Sequence, residues 1–176
     1  MADRMAAEIW IGGRLRRSLL EEFPVSDMRL DWDNSPLPSS SEEDLLAARD
    51  KDGLLHFADV EVAWGEFTEL EGWLREHELP FRRRSEGKYE YSPERVEHRP
   101  DLKGRNREVY CYTSPEGKPM LFVSEVAPIV GRMAKLVADK RPAKERLHAW
   151  EKLYRKLVNT LPPELPPLPK FEIVDG

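Results

Sequence analysis

Residues 54–85 constrain the fold more than any other part of the chain, because the spacing of their apolar side chains changes twice. Near-alternating apolar positions across residues 55–64 predict a partly buried strand. Helical spacing follows in residues 67–79 and ends before Pro80, since a proline pushes the preceding residue towards extended geometry. Residues 81–85 return to a strand. Four side chains of this unit are expected in the main core: Trp64, Phe67, Leu70 and Leu74.

The N-terminal residues add further elements to this strand–helix–strand unit. Apolar periodicity and turn residues predict strands at 8–11 and 28–32 and helices at 14–23 and 42–51. Ser40 and Glu43 match a capping box for the second of these helices, in which each side chain bonds the other residue's free backbone N–H. The first 85 residues therefore alternate strands with helices.

Two architectures accommodate this alternation. If the short helix at 42–51 decorates a crossover, the order is a split βαβ repeat of the ferredoxin-like kind, whereas a full helical layer gives a small α/β sheet. Charged residues that alternate with apolar ones, such as Glu61, favour a sheet with one exposed face. We therefore predict an α+β fold with a ferredoxin-like N-terminal sheet.

Residues 92–107 are rich in arginine and contain Pro100 and Gly104, so they are interpreted as a basic loop. Residues 108–113 and 120–124 predict two strands joined by a hairpin turn, which would extend the sheet. The full predicted organisation is an α/β sheet unit at 1–91, the basic loop at 92–107, the hairpin with two helices packed on the same core at 108–161, and a proline-rich arm at 162–176.

The two C-terminal helices carry strong apolar faces, and we expect them to pack as an antiparallel pair. Ser124 is the predicted N-cap of the first helix, and Pro142 is tolerated in the first turn of the second. The proline-rich arm that follows is stiff and extended. It either packs on the core through Phe171 and Ile173 or offers a proline-rich motif to a partner, and we favour packing.

The composition indicates a folded, soluble, cytoplasmic protein. Of 176 residues, 40 % are hydrophobic and 35 % are charged, and five Trp, five Tyr and six Phe argue against disorder. No apolar run approaches the roughly 18 to 20 residues that span a bilayer, and a signal-peptide core is absent from the N-terminus, so no membrane partner is predicted. The single cysteine, Cys111, excludes an internal disulfide framework and is expected to be a small buried residue of a strand.

The net charge of −5 conceals an uneven distribution. Residues 1–79 contain 19 acidic and 8 basic side chains, residues 80–107 contain 5 and 9, and residues 108–176 contain 9 and 11. Such a distribution creates opposing surface fields unless the fold mixes these segments in space.

The basic segment provides the binding residues that we propose from sequence. Guanidinium groups contact phosphates, and interleaved aromatic rings stack on bases. Alternation along a strand would direct Arg82 and Arg84 to one face. Acidic residues within the segment leave a second interpretation, a solvated loop or internal pairing with the acidic N-terminal portion. The candidate binding residues are Arg82, Arg84, Lys88, Tyr89, Tyr91, Arg95, Arg99, Lys103 and Arg105.

The sequence shows no set of residues typical of an enzyme. The four histidines have no metal-ligand spacing among themselves or with Cys111, so neither a metal nor a cofactor is predicted. The leading hypothesis is a non-enzymatic binding or accessory protein whose partner is a protein or a nucleic acid, in an oligomeric state that the sequence leaves open. One alternative is an acidic decoy that inhibits a nucleic-acid-processing protein. Another is a small hydrolase or transferase that uses His56 or His98.

Overall fold

The structure is a computed structural model that describes residues 3–25, 28–30, 32–33, 35–88 and 90–176. It is a mixed α+β protein built around a five-stranded antiparallel sheet. The strands are β1 (Arg4–Ile11), β2 (Gly13–Arg16), β3 (Leu55–Ala63), β4 (Phe81–Ser85), β5 (Glu94–His98), β6 (Glu108–Tyr112) and β7 (Phe171–Val174), and the α-helices are α1 (Glu42–Ala47), α2 (Thr68–Glu76), α3 (Val123–Val137) and α4 (Ala143–Thr160). The order in the main sheet is β3-β1-β4-β5-β6, and β2 pairs separately with β7.

The predicted strand–helix–strand unit is confirmed as β3, α2 and β4. Both strands pair with β1 in the antiparallel sense, so they run parallel to each other with β1 between them. Phe67, Leu70 and Leu74 join the core, as predicted. Trp64 does not: its side chain is 46 % exposed, because a positive φ of 57° turns the chain out of β3 at that residue.

The segment predicted as a helix at 14–23 is instead β2 followed by a 3-10 helix, Arg17–Glu22. Parallel pairing with β7 holds β2 in an extended conformation, and this long-range contact outweighs the local helical spacing. The strand predicted at 28–32 is reduced to an isolated bridge between Arg29 and Pro36, and its residue 31 lies outside the described residues. Helix α1 is shorter than predicted and is capped by Ser41, whose hydroxyl accepts from the Asp44 backbone N–H at 3.2 Å.

The segment predicted as a basic loop at 92–107 contains β5, so the loop prediction is wrong there. Strand β5 pairs with β4 on one edge and with β6 on the other, which satisfies its backbone hydrogen bonds, and its Val96 side chain is buried. The strand predicted at 120–124 is also wrong, because α3 begins at Val123. The turn at 114–118 does form, with the Ser114 N–H donating to the Lys118 carbonyl at 2.8 Å.

The core lies on one face of the sheet, where Ile9, Ile11, Phe57 and Phe81 meet the buried side of α2. The two C-terminal helices pack against each other. Ile129 is the buried residue of α3, and α4 buries none, so this pair contributes little to the core. Among the described residues, no helix combines the length and the apolar character needed to cross a membrane.

The end of the chain returns to the N-terminal half. Residues 162–170 have no regular secondary structure, and β7 then pairs in parallel with β2. Phe171 is fully buried and its N–H donates to the Gly53 carbonyl at 2.9 Å. Gly12 allows this approach, because a Cβ there would lie 2.1 Å from the Pro169 carbonyl oxygen.

Candidate functional site

The face of the main sheet opposite the core carries the arginine pair that the sequence singled out. In the strand register, Arg82 lies between Trp10 of β1 and Glu97 of β5, and Arg84 lies between Glu8 and Arg95. Arg82 and Arg84 alternate with the buried Phe81, Arg83 and Ser85 of β4, so they and their register partners share the outer face, although Glu97 is itself buried there. We call this surface, formed by Glu8, Trp10, His56, Arg82, Arg84, Arg95 and Glu97, the open sheet face.

Two aromatic rings form the centre of the open sheet face. Trp10 on β1 lies opposite His56 on β3, and their rings stack with centroids 4.8 Å apart and planes 7° from parallel. The His56 Nε2 atom lies 3.3 Å from the Glu8 Oε2 atom, which orients the imidazole. Both rings are half-buried. The result is an ordered pair of stacked rings beside the arginines of β4.

Carboxylates hold the arginines of this face in place. The Nε atoms of Arg82 and Arg95 lie 3.2 Å and 3.4 Å from the same Glu97 Oε1 atom. Arg99 donates to the other Glu97 oxygen, and Arg84 Nη1 lies 3.6 Å from Glu8 Oε1. Four guanidinium groups thus face two carboxylates, and the open sheet face retains a cationic surplus although the chain is acidic.

Arg99 differs from the other three arginines because it is buried. It donates to the Phe81 carbonyl at 2.9 Å as well as to Glu97. Burial lowers the pKa of Arg99 from its usual value, and the nearby Arg82 and Arg95 charges add to this effect against Glu97. Arg99 therefore anchors Glu97 under the face and is not accessible to a ligand.

The other candidate residues from the sequence lie elsewhere. Lys88 Nζ donates to the Arg4 carbonyl at 3.1 Å, and Arg105 donates to the Asn159 carbonyl at 2.9 Å at the end of α4. Lys103 precedes the 3-10 helix Gly104–Asn106 in the β5–β6 connection, and Tyr91 follows the turn that Lys88 begins. Tyr89 lies outside the described residues. The structure thus brings together Arg82, Arg84, Arg95 and Arg99 but not Lys88, Tyr91, Lys103 or Arg105.

Sequence reasoning missed Trp10 as a member of this face. Ile9 and Ile11 form the buried side of β1, and alternation along the same strand directs Trp10 to the opposite side. This signal was present in the sequence. The stack with His56 was not, since it requires the β1–β3 register.

A second surface lies at one end of the core side of the sheet. It is a cleft of about 390 Å³ lined by Met5, Trp64, Ser85, Glu90, Tyr91, Ser92, Glu94, Tyr110, Tyr112 and Phe122, and we call it the aromatic cleft. Trp64 and Tyr91 meet edge to face at 5.6 Å, and Tyr112 and Phe122 do so at 5.1 Å. A positive φ at a bulky residue such as Trp64 is a strained conformation that often marks a binding site.

A buried ionic network holds the floor of the aromatic cleft. The Tyr110 hydroxyl donates to Glu94 at 2.6 Å, and Glu94 lies 2.7 Å from Arg83, whose side chain is 2 % exposed. Arg83 also forms an ion pair of 2.8 Å with Glu71 and donates to the Gly65 carbonyl at 2.6 Å. Burial, followed by the hydrogen bond to Glu94, raises the pKa of Tyr110. Tyr110 therefore remains a neutral hydrogen-bond donor.

The groups considered for catalysis are held in structural contacts. His98 is buried, stacks on Phe81 with centroids 5.5 Å apart, and has its Nδ1 atom 2.7 Å from Glu108. Burial raises the pKa of Cys111, which favours the protonated thiol over the reactive thiolate. Across the described ranges, no group of three or more His, Cys, Asp or Glu side chains is arranged to hold a metal ion.

No protein-family model, curated protein or solved structure matches this chain.

Proposed function

We propose that this chain is a non-enzymatic binding protein that holds single-stranded nucleic acid on the open sheet face. The observation that carries the proposal is the Trp10–His56 stack beside the cationic surplus of Arg82, Arg84 and Arg95. Single-strand-binding surfaces combine these two elements, because every base has a face that stacks on an aromatic ring and every nucleotide carries a phosphate.

The register supports simultaneous contacts of both kinds. Trp10 and Arg82 lie directly opposite each other on neighbouring strands, which are about 4.8 Å apart. A base stacked on Trp10 would therefore bring its own phosphate within reach of the Arg82 guanidinium. Glu97 and Glu8 restrict the rotamers of the arginines, which reduces the entropy that binding must remove.

We also propose that the N-terminal half has a ferredoxin-like fold and that the protein is cytoplasmic. The β3–α2–β4 crossover around β1 supports a ferredoxin-like relationship for the N-terminal half. A single buried cysteine supports a role in the reducing environment of the cytoplasm.

Salt-dependent binding tests the proposed contacts separately. The variant Arg82→Gln/Arg84→Gln removes two positive charges without placing new carboxylates beside Glu97 and Glu8. We expect it to weaken binding to a single-stranded oligonucleotide and to reduce the slope of log affinity against log salt by about 0.7 per lost phosphate contact. Trp10→Ala should weaken binding by about 1–3 kcal/mol with the slope unchanged, because stacking carries no charge.

The charge-matched control is Arg132→Gln/Lys152→Gln, which removes two exposed positive charges from α3 and α4. It should bind as the wild type does. Equal loss of affinity in the control would show that net charge, rather than the open sheet face, determines binding. Absence of wild-type binding at low salt would refute the proposal.

A protein partner is the second candidate, and a different observation favours it. Next to the strand end at Trp64, a cleft of about 420 Å³ is lined by Asp59, Glu61, Glu66 and Glu69 along with apolar residues and two arginines. These carboxylates come from the acidic first 79 residues. An acidic decoy would present them to the basic groove of a nucleic-acid-processing protein.

A further inference from the structure

Helix α3 exposes an apolar stripe that the monomer does not cover. Val123 and Val137 are 79 % and 80 % exposed, and Val130 lies midway between them at 48 %. The exposed Ala127 and Ala134 complete the row. These residues recur at alternating intervals of four and three, which is the heptad spacing of a helix that packs along a partner helix.

Helix α4 and its C-cap expose a second stripe of the same kind. Trp150 and Tyr154 are both substantially exposed, although their rings stack on each other with centroids 5.2 Å apart. They are flanked by the exposed Leu147, Val158 and Leu161. Intervals of three and four residues place this stripe on one side of the helix.

Both stripes lie on the same side of the helix pair. Ile129 of α3 and Leu153 of α4 both line the cleft between the two packed helices, and both are less exposed than the stripes. Val130 and Tyr154 follow these two residues by one position, a rotation of about 100° in an α-helix, and every other stripe residue likewise follows a less exposed residue. Because the two helices are antiparallel, a step of one residue along either helix turns the side chain towards the same side of the helix pair. The stripes therefore form one continuous surface, which we call the apolar helix face.

The spacing of the large side chains on this face is symmetric, whereas the small Ala127 and Ala134 lie three residues before and four residues after Val130. The intervals in α4 read three, four, four, three about Tyr154, so that Leu147 mirrors Leu161 and Trp150 mirrors Val158. Val123 and Val137 mirror each other about Val130 in the same way. Ile129 and Leu153 line one cleft between the helices, so Val130 and Tyr154 lie at the same height along the pair. A twofold axis that crosses the helix pair at this height would therefore bring each stripe against the same stripe of a second copy, with Val130 opposite Val130 and Tyr154 opposite Tyr154.

We propose that a second copy of this chain covers the apolar helix face, so that two helix pairs form an antiparallel four-helix bundle. A twofold interface requires a patch that is its own complement, and the mirror spacing supplies one. Eight large side chains of this face are exposed. Together they present on the order of 700 Å², close to what each partner contributes to a standard interface and more than most monomers leave open.

The first test is sedimentation of the wild type between about 1 and 100 µM, a range in which a dimer of this size assembles. The variant Val130→Glu/Tyr154→Glu places four carboxylates at the axis of the dimer, and it should raise the dissociation constant at least about tenfold. Both positions are exposed in the monomer, so the helical content should not change. The matched control Ser124→Glu/His148→Glu adds the same charges to exposed positions off the face and should dimerise as the wild type does.

The second test uses the predicted axis. Tyr154 should meet Tyr154 of the other copy, so Tyr154→Cys should form an intermolecular disulfide under mild oxidation. His148→Cys, which is equally on α4 but faces away, should crosslink much more slowly. A wild-type protein that stays monomeric throughout the concentration range, or equal crosslinking of the two cysteine variants, would overturn the proposal.

Discussion

Three consecutive arginines of β4 occupy two different environments. Arg82 and Arg84 point to the open sheet face, where each remains partly accessible. Arg83 points to the other side, where it is buried between Glu71 and Glu94. Burial raises the pKa of Glu71 although the charges of Arg83 and Arg75 act in the opposite direction. A ligand can therefore reach Arg82 and Arg84, whereas Arg83 is buried and stabilises the fold through its ion pairs.

The substitution Leu70→Ala tests the packing of α2 against the sheet. Leu70 is fully buried on the sheet-facing side of the helix, so truncation removes transfer free energy and leaves a cavity. We expect the free energy of unfolding in urea to fall by about 2–5 kcal/mol. The control is Glu69→Ala, an exposed change on the same helix that should alter stability by less than about 0.5 kcal/mol. An unchanged urea midpoint for Leu70→Ala would refute the packing of α2 described above.

The elements that sequence reasoning recovered are those whose pattern is local. The apolar spacing changes sharply between β3, α2 and β4, and the boundaries agree closely with the prediction. In contrast, β5 has a single aliphatic residue, Val96, among charged neighbours, and its strand conformation depends on pairing with both β4 and β6. The same holds for β2, whose partner β7 is more than 150 residues further along the chain. Local periodicity contains no information about such pairings.

Removal of the C-terminal strand tests this long-range pairing. Truncation after Leu161 deletes β7 and the buried Phe171, leaving Leu15 of β2 without its neighbour Ile173. We expect a lower free energy of unfolding and increased binding of a hydrophobic dye. Truncation after Val174 is the control, because it keeps β7 and deletes only two exposed residues. Full stability of the shorter protein, combined with loss of a captured partner, would instead identify the arm as a recognition motif.

At the scale of the whole molecule, the fold mixes the acidic and basic segments rather than separating them. Glu8 and Glu71 from the acidic portion pair with Arg84 and Arg83 of the basic one. The sequence therefore indicated a concentration of arginines in this part of the chain but not which charges neutralise each other, since that depends on strand register. Of the proposed contacts, Arg82, Arg84 and Arg95 lie on this face, Arg99 is buried beneath it, and four others lie elsewhere. If the chain dimerises, two such faces would act on one strand with raised avidity.

The most direct measurement is an NMR titration with a single-stranded oligonucleotide at low salt, observing tryptophan indole and arginine Nε–H signals. The account predicts that the signals of Trp10, Arg82 and Arg84 shift together as the oligonucleotide binds, whereas those of Trp64 and Arg83 do not. No shift at any concentration would contradict nucleic-acid binding, and shifts confined to Trp64 would assign binding to the aromatic cleft instead.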